Sequence, residues 1–154
     1  MMTLCSEVLE ALKGKTLATA ESCTGGGIGA AITAVPGASK VFKGGVISYT
    51  NEVKEQCLGV DRAVLEKYGA VSAPVAGAMA SGVRNLLKTD VAVSVTGLAG
   101  PGGDEYGNPV GTVCIGYADK HRTLAKKYCF DGDRAQVRKS AIRAALQLIL
   151  EAKQ

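Results

Sequence analysis

Val91-Ala92-Val93-Ser94-Val95-Thr96, followed at once by Gly97-Leu98-Ala99-Gly100-Pro101-Gly102-Gly103, decides the fold. The near-continuous apolar run reads as a strand covered on both faces, and therefore as a central one. The glycines behind it end the strand, and Gly97 to Pro109 reads as a loop. Upstream, Ser72 with Pro74 opens a long helix whose buried face carries Val75, Met79, Val83, Leu86 and Leu87. Asp61 caps a shorter helix that Gly69 ends, and Asn51 reads as the N-cap of another, with Glu52, Lys54 and Glu55 on it. Gly45 to Tyr49 is expected as a strand. Before it, Thr16 to Ala20 is a β-prone run ending at Glu21, then a turn over Thr24 to Gly27 and a small-residue helix from Ile28 to Ala34 that Val35-Pro36-Gly37 breaks. The chain opens on a helix with Leu4, Val8, Leu9 and Leu12 at helical spacing.

Downstream, Thr112 to Tyr117 and Thr123 to Cys129 read as a hairpin around Asp119-Lys120-His121. Asp133 caps a last helix with Val137, Ala141, Ile142, Leu146 and Ile149 inside. Alternating helices and strands predict a three-layer α/β/α sandwich, and the hairpin makes one strand antiparallel, so the sheet is expected to be mixed and mostly parallel. Ligands bind such sheets at the carboxyl ends of the strands. Three segments converge there: Glu21 to Gly27, Tyr49 to Lys54, and Thr96 to Gly103.

Composition narrows the chemistry. The 154 residues suit one domain, residues 1–154. One histidine excludes a multi-histidine metal site, and twenty glycines are a high count. A net charge of +4 is mildly basic and falls short of a nucleic-acid signature, though it accommodates an anionic small ligand such as a phosphate ester. The five cysteines include no CxxC pair, which argues against a zinc or thioredoxin-like site and for free thiols in a cytoplasmic protein. The first thirteen residues lack the basic and apolar regions of a signal peptide, and no stretch is apolar enough to span a membrane.

Each convergent segment carries candidate chemistry. Glu21-Ser22-Cys23-Thr24-Gly25-Gly26 places Ser22 and Cys23 at a strand-to-helix turn, where either is a candidate nucleophile and free N–H groups suit an oxyanion or anion. The same residues also read as a capped helix with glycines for tight packing. A serine nucleophile needs a base, and His121 falls in the hairpin turn, far from the strand ends. Lys54 is the candidate: it stands in the first turn of a helix, where the dipole disfavours a cation and is expected to lower its pKa. Tyr49 would relay the proton; a solvated charged helix is the alternative reading. The glycine-dense Thr96 to Gly103 loop permits close backbone approach to a ligand. Arg134 and Arg138, four apart on the last helix, share a face that suits phosphate or simply faces water.

Three imitations fail. Gly14-Lys15-Thr16 lacks the first glycine of a P-loop, since position 9 is Leu9. Tyr49 and Lys54 lie five apart, not the four of short-chain dehydrogenases. Gly25 to Ala30 is a weak dinucleotide fingerprint without the acidic residue at the end of the next strand, where Gly44 and Gly45 stand.

Ala20-Glu21-Ser22-Cys23-Thr24-Gly25-Gly26, Ser48-Tyr49-Thr50-Asn51-Glu52-Val53-Lys54 and Thr96-Gly97-Leu98-Ala99-Gly100-Pro101-Gly102-Gly103 resemble the three signature blocks of the CinA C-terminal domain family, in order and over nearly the whole chain. Stand-alone members hydrolyse the carboxamide of nicotinamide mononucleotide to nicotinate mononucleotide and ammonia. The resemblance implies Ser22 as nucleophile, Lys54 as base, Tyr49 as its partner and Thr96 as an orienting group. It implies Glu21, Cys23, Thr24, Gly25, Gly26, Gly97, Gly100, Gly102 and Gly103 around the substrate, with Arg134 and Arg138 for the phosphate. No metal or cofactor is implied. A non-catalytic nucleotide-binding module on the same fold is the other function class. Asp104 and Glu105 depart from the family pattern and would have to point away from a phosphate. Longer relatives carry an N-terminal pyrophosphatase-like domain, for which 154 residues leave no room. A homodimer through the apolar helix face of Met79 and Val83 is a further expectation.

Overall fold

The computed structural model describes residues 1–153. Five strands form one sheet: β1 (Leu17–Glu21), β2 (Phe42–Ile47), β3 (Val91–Gly97), β4 (Thr112–Ala118) and β5 (Thr123–Cys129), in the order β2-β1-β3-β4-β5. β1 runs parallel to β2 and β3, while β4 is antiparallel to both β3 and β5. The sheet is thus mixed with one antiparallel strand, and β3 lies at its centre, as its sequence predicts. α1 (Met2–Ala11), α2 (Gly27–Thr33) and α6 (Arg134–Lys153) form one layer over it, and α3 (Asn51–Leu58), α4 (Arg62–Tyr68) and α5 (Ala73–Leu87) the other.

The two faces differ in side-chain size, and period-2 alternation sets the difference. Leu17 on β1 and Val91, Val93 and Val95 on β3 point toward α1, α2 and α6, where they meet Val8, Leu12, Ile28, Ile32, Leu146 and Ile149. The intervening positions, Ala18, Ala20, Ala92 and Ser94, are small and face α5. That helix consequently lies close against the strands. The Ser94 hydroxyl donates to the Ala76 carbonyl at 2.6 Å, and a Cβ on Gly116 would stand 2.3 Å from that same carbonyl oxygen. α5 touches all five strands. The same closeness recurs between helices: a Cβ on Gly82 of α5 would stand 2.0 Å from the Leu58 carbonyl oxygen at the end of α3.

Several local expectations shift. The second strand runs from Phe42 to Ile47 rather than from Gly45 to Tyr49, so Ser48 and Tyr49 belong to the turn beyond it. Thr50, not Asn51, caps α3, its hydroxyl accepting from the Val53 N–H. Leu86 is exposed, because the last turn of α5 directs Leu87 instead onto the sheet, beside Gly44 of β2. Met79 and Val83 are fully buried against the sheet and offer no dimer face. No helix among the described residues is long and apolar enough to cross a membrane.

The topology fixes where a ligand can enter. β1 leads through α2 to β2 on one side, whereas β3 leads to β4 on the other. The carboxyl ends of β1 and β3 therefore flank a point where the connections diverge, and such a point leaves a crevice.

Candidate active site

Ser22 follows directly on β1 and is almost wholly buried. Lys54, near the start of α3, is 1% exposed, and its Nζ reaches back to within 3.1 Å of Ser22 Oγ. The ammonium seat is completed by main chain: Nζ donates to the Ser48 carbonyl at 2.9 Å and to the Tyr49 carbonyl at 3.5 Å. No carboxylate stands at hydrogen-bonding distance. A cation sealed from water with only neutral acceptors is costly, and burial lowers Lys54 from 10.5 to about 8. Burial, more than the helix dipole, is the cause. A neutral amine here would keep two N–H donors on the carbonyls and turn its lone pair toward the Ser22 hydroxyl.

Tyr49 stands elsewhere than the relay position. Its hydroxyl accepts from Arg134 at 3.2 Å and its ring is largely exposed, while its carbonyl is the part that meets Ser22 Oγ, at 3.4 Å. The Ser22–Lys54 contact is direct. Cys23, beside Ser22, is buried, which pushes its thiol up to about 11 and keeps it protonated near neutral pH.

The turn after β1 is held from behind. Glu21 is buried, and its carboxylate accepts from the Thr24 hydroxyl (2.7 Å), the Ile28 N–H (2.8 Å) and the Gly29 N–H (3.1 Å). It thus caps the positive end of α2 and faces away from the crevice, as does the Thr24 side chain bound to it. Gly25 and Gly26 adopt positive φ (58° and 98°) to make the turn and likewise do not line the crevice. Arg138 departs from its expected role too: its guanidinium donates to the Cys23 and Thr24 carbonyls at 3.0 and 3.2 Å.

The crevice itself has a volume of about 290 Å³. Ser22, Cys23 and Lys54 form its floor, and Gly97, Gly100 and Gly102 one wall. Arg134 closes the rim, donating to the Gly100 carbonyl at 2.5 Å and to the Tyr49 hydroxyl. Gly103 stands outside, packed on the Asn108 carbonyl. Asp104 accepts from the Tyr106 and Asn108 main chain, and Glu105 lies in a neighbouring groove, so both carboxylates do point away.

Sequence reasoning missed the opposite wall, Ala70 and Val71. It comes from the α4–α5 connection, at no strand end, where Gly69 and Ser72 mark a turn. Thr96, buried on β3, donates its hydroxyl to the Ala70 carbonyl at 2.9 Å, and the Asn108 amide donates to the Val71 carbonyl at 3.3 Å. The Tyr106 hydroxyl donates to the Glu66 carbonyl at 2.7 Å. The glycine loop and this wall are thereby tied together.

Fold and site define a class: an α/β/α sandwich with a buried serine–lysine pair at the point where its strand connections diverge. Comparison with known proteins places it further. The family described as CinA C-terminal domain matches residues 2–153, and the chain belongs to that family. It is 54% identical over 120 residues to a CinA-like protein of Synechococcus sp., covering 77% of this chain and 29% of that one. To a CinA-like protein of Endomicrobium trichonymphae it is 49% identical over 135 residues, covering 88% and 32%. The chain thus spans about a third of the length of these relatives. Among solved structures, a competence-damaged protein (CinA) superfamily protein from Escherichia coli superposes with a TM-score of 0.95 at 35% identity, covering 98% of this chain and 89% of that one. A competence/damage inducible protein from Agrobacterium tumefaciens gives 0.94 at 35% identity, covering 99% and 95%.

Proposed function

We propose that the chain is a nicotinamide-nucleotide amidohydrolase that converts nicotinamide mononucleotide and water into nicotinate mononucleotide and ammonia. The observation that carries the reaction class is the Lys54 amine 3.1 Å from Ser22 Oγ in a seat without a carboxylate. The substrate rests on the resemblance of the three signature blocks. A 290 Å³ crevice with Arg134 at its rim supports it, being the size of a small-ligand pocket with one cation for a phosphate.

In this reading neutral Lys54 takes the Ser22 proton as Oγ attacks the carboxamide carbon. The oxyanion falls to N–H groups of the turn. Lys54 returns the proton to the departing nitrogen, ammonia leaves, and water, deprotonated by Lys54, releases the acid from Ser22. Tyr49 serves with its carbonyl at the base and with its phenol beside Arg134. Thr96 acts through the Ala70 wall.

The test is ammonia release from nicotinamide mononucleotide, with Ser22→Ala and Lys54→Ala. Both variants are expected to lose at least about 1,000-fold in kcat. The wild-type rate is expected to rise with pH through about 8, because only neutral Lys54 accepts the proton. A wild type that binds the nucleotide without turnover would favour a binding module. Activity surviving Ser22→Ala but falling in Cys23→Ser would move the nucleophile.

A further inference from the structure

An asparagine at a helix start commonly caps the helix with its side chain. In α3 that task falls to Thr50, and Asn51 follows as the first helical residue, on the lining of the crevice. The other polar side chains of the lining have partners within the fold. Ser22 is paired with Lys54, Tyr49 with Arg134, Thr96 with the Ala70 carbonyl, and the Cys23 thiol with its own peptide. The Asn51 amide makes no hydrogen bond among the described residues. It is the one neutral group of the lining with both a donor and an acceptor to give.

Its place on α3 sets it beside the base. Three residues apart, Asn51 and Lys54 share a face of the helix. Helical side chains lean toward the N-terminus, and Lys54 leans far enough for Nζ to reach the Ser48 and Tyr49 carbonyls, which precede α3. The amine is thereby carried back to the level of Asn51. Cys23 and Tyr49 share the crevice with it, and Arg134 stands at the rim. The carboxylates of α3, Glu52 and Glu55, line the groove on the far side of Asn51, which borders both cavities. Asn51 is thus neutral at a position where the helix dipole favours an aspartate. A carboxylate there would hold the proton on Lys54, whereas an amide oxygen accepts without doing so.

We infer that Asn51 is a specificity-determining residue for a carboxamide, its Oδ1 accepting from the amide nitrogen that leaves. In the step that breaks the carbon–nitrogen bond, Lys54 delivers the proton taken from Ser22 to the nitrogen lone pair, and the bond electrons depart with ammonia. An acceptor on one of the two N–H groups turns that lone pair toward Lys54. A leaving group without an N–H has nothing to give Asn51. The inference rests on the amidohydrolase reading of the site.

Two reactions of the same serine isolate the leaving group. Hydrolysis of nicotinamide mononucleotide expels nitrogen. With a fluorophosphonate the Ser22 Oγ–phosphorus bond forms, the phosphorus–fluorine bond breaks, fluoride leaves and Lys54 takes the proton. For the full chain, Asn51→Ala and Asn51→Asp, kcat and the second-order labelling rate are measured against pH, with the labelled residue identified by mass spectrometry. Asn51→Ala is expected to lower kcat about 10-fold while labelling stays within about twofold of wild type, since only the nitrogen has lost its acceptor. Asn51→Asp is expected to raise the inflection of both reactions from about 8 by about one unit and to recover part of the lost kcat above it. Should Asn51→Ala fail to fold, the isosteric Asn51→Asp decides alone. A wild-type kcat in Asn51→Ala would overturn the inference. So would equal losses in both reactions, the mark of a disturbed helix start, or an Asn51→Asp inflection that does not move. In those outcomes wild-type turnover stands, and the proposed function with it. A wild type labelled at Ser22 but inactive on nicotinamide mononucleotide would overturn the substrate and this inference together, and one unlabelled at Ser22 would overturn the nucleophile and this inference.

Discussion

Lys54 is where one side chain carries most consequence. In the unfolded chain its amine is charged up to about 10.4, in the folded chain only up to about 8. Below pH 8 both states hold the proton and the folded state bears the whole cost of burying it. Between 8 and 10.4 the folded chain has released the proton while the unfolded chain still binds it, so stability rises with pH. Relative to Lys54→Met, the wild type is expected to gain about 3 kcal/mol across that window, measured by urea unfolding at pH 7.5 and 10.5. A difference that stays flat with pH would show that the amine is not desolvated. At this scale the sequence was legible where residue type and strand end coincide, as at Ser22 and Lys54. It was not legible for Glu21, Thr24 and Arg138. Spacing places these beside the turn, but whether a carboxylate or guanidinium faces ligand or backbone depends on which peptide groups the turn leaves unpaired.

Among the elements, α3 and α5 set the distance between Lys54 and Ser22. α3 carries Lys54, and its end can approach α5 only because Gly82 has no side chain. Gly82→Ala would thrust a methyl into the Leu58 carbonyl, and rigid backbone on both sides leaves little room to yield. It is expected to cost about 2–3 kcal/mol, a fall of roughly 5–10 °C in Tm, and to lower kcat by displacing α3. Gly77→Ala on the same helix is the control. Its Cβ would meet only the Thr123 methyl at 3.5 Å, and the gain in helix propensity should raise stability by up to about 1 kcal/mol. Equal effects at both positions would refute this account. Strand and helix identity were readable here because periodicity is local. The second strand starts three residues and ends two residues before its expected bounds, because Gly44 and Gly45 lack the side chains that would mark it, and Leu86 was misplaced because helical spacing from Val83 fits both Leu86 and Leu87, of which only Leu87 packs inward.

Across the whole molecule, the sheet separates two ends. Ser22 and Lys54 stand at the carboxyl ends of β1 and β3. His121 sits in the β4–β5 turn, beside the ends where β1 and β3 begin, with Lys15 and Asp90. His121→Ala is therefore expected to leave the rate within about twofold of wild type at every pH, a steady-state measurement; a larger loss would show coupling along the sheet that the geometry does not suggest. The three-layer arrangement was legible in full, since alternating elements and one hairpin admit few topologies.

The remote imidazole has an experimental corollary. A phosphomonoester takes up its second proton near pH 6. With the molecule's one imidazole on the far side of the sheet, an inflection near pH 6 in the affinity for such a compound reports the charge on the compound. The affinity curve thus becomes a gauge of whether Arg134 selects the dianion.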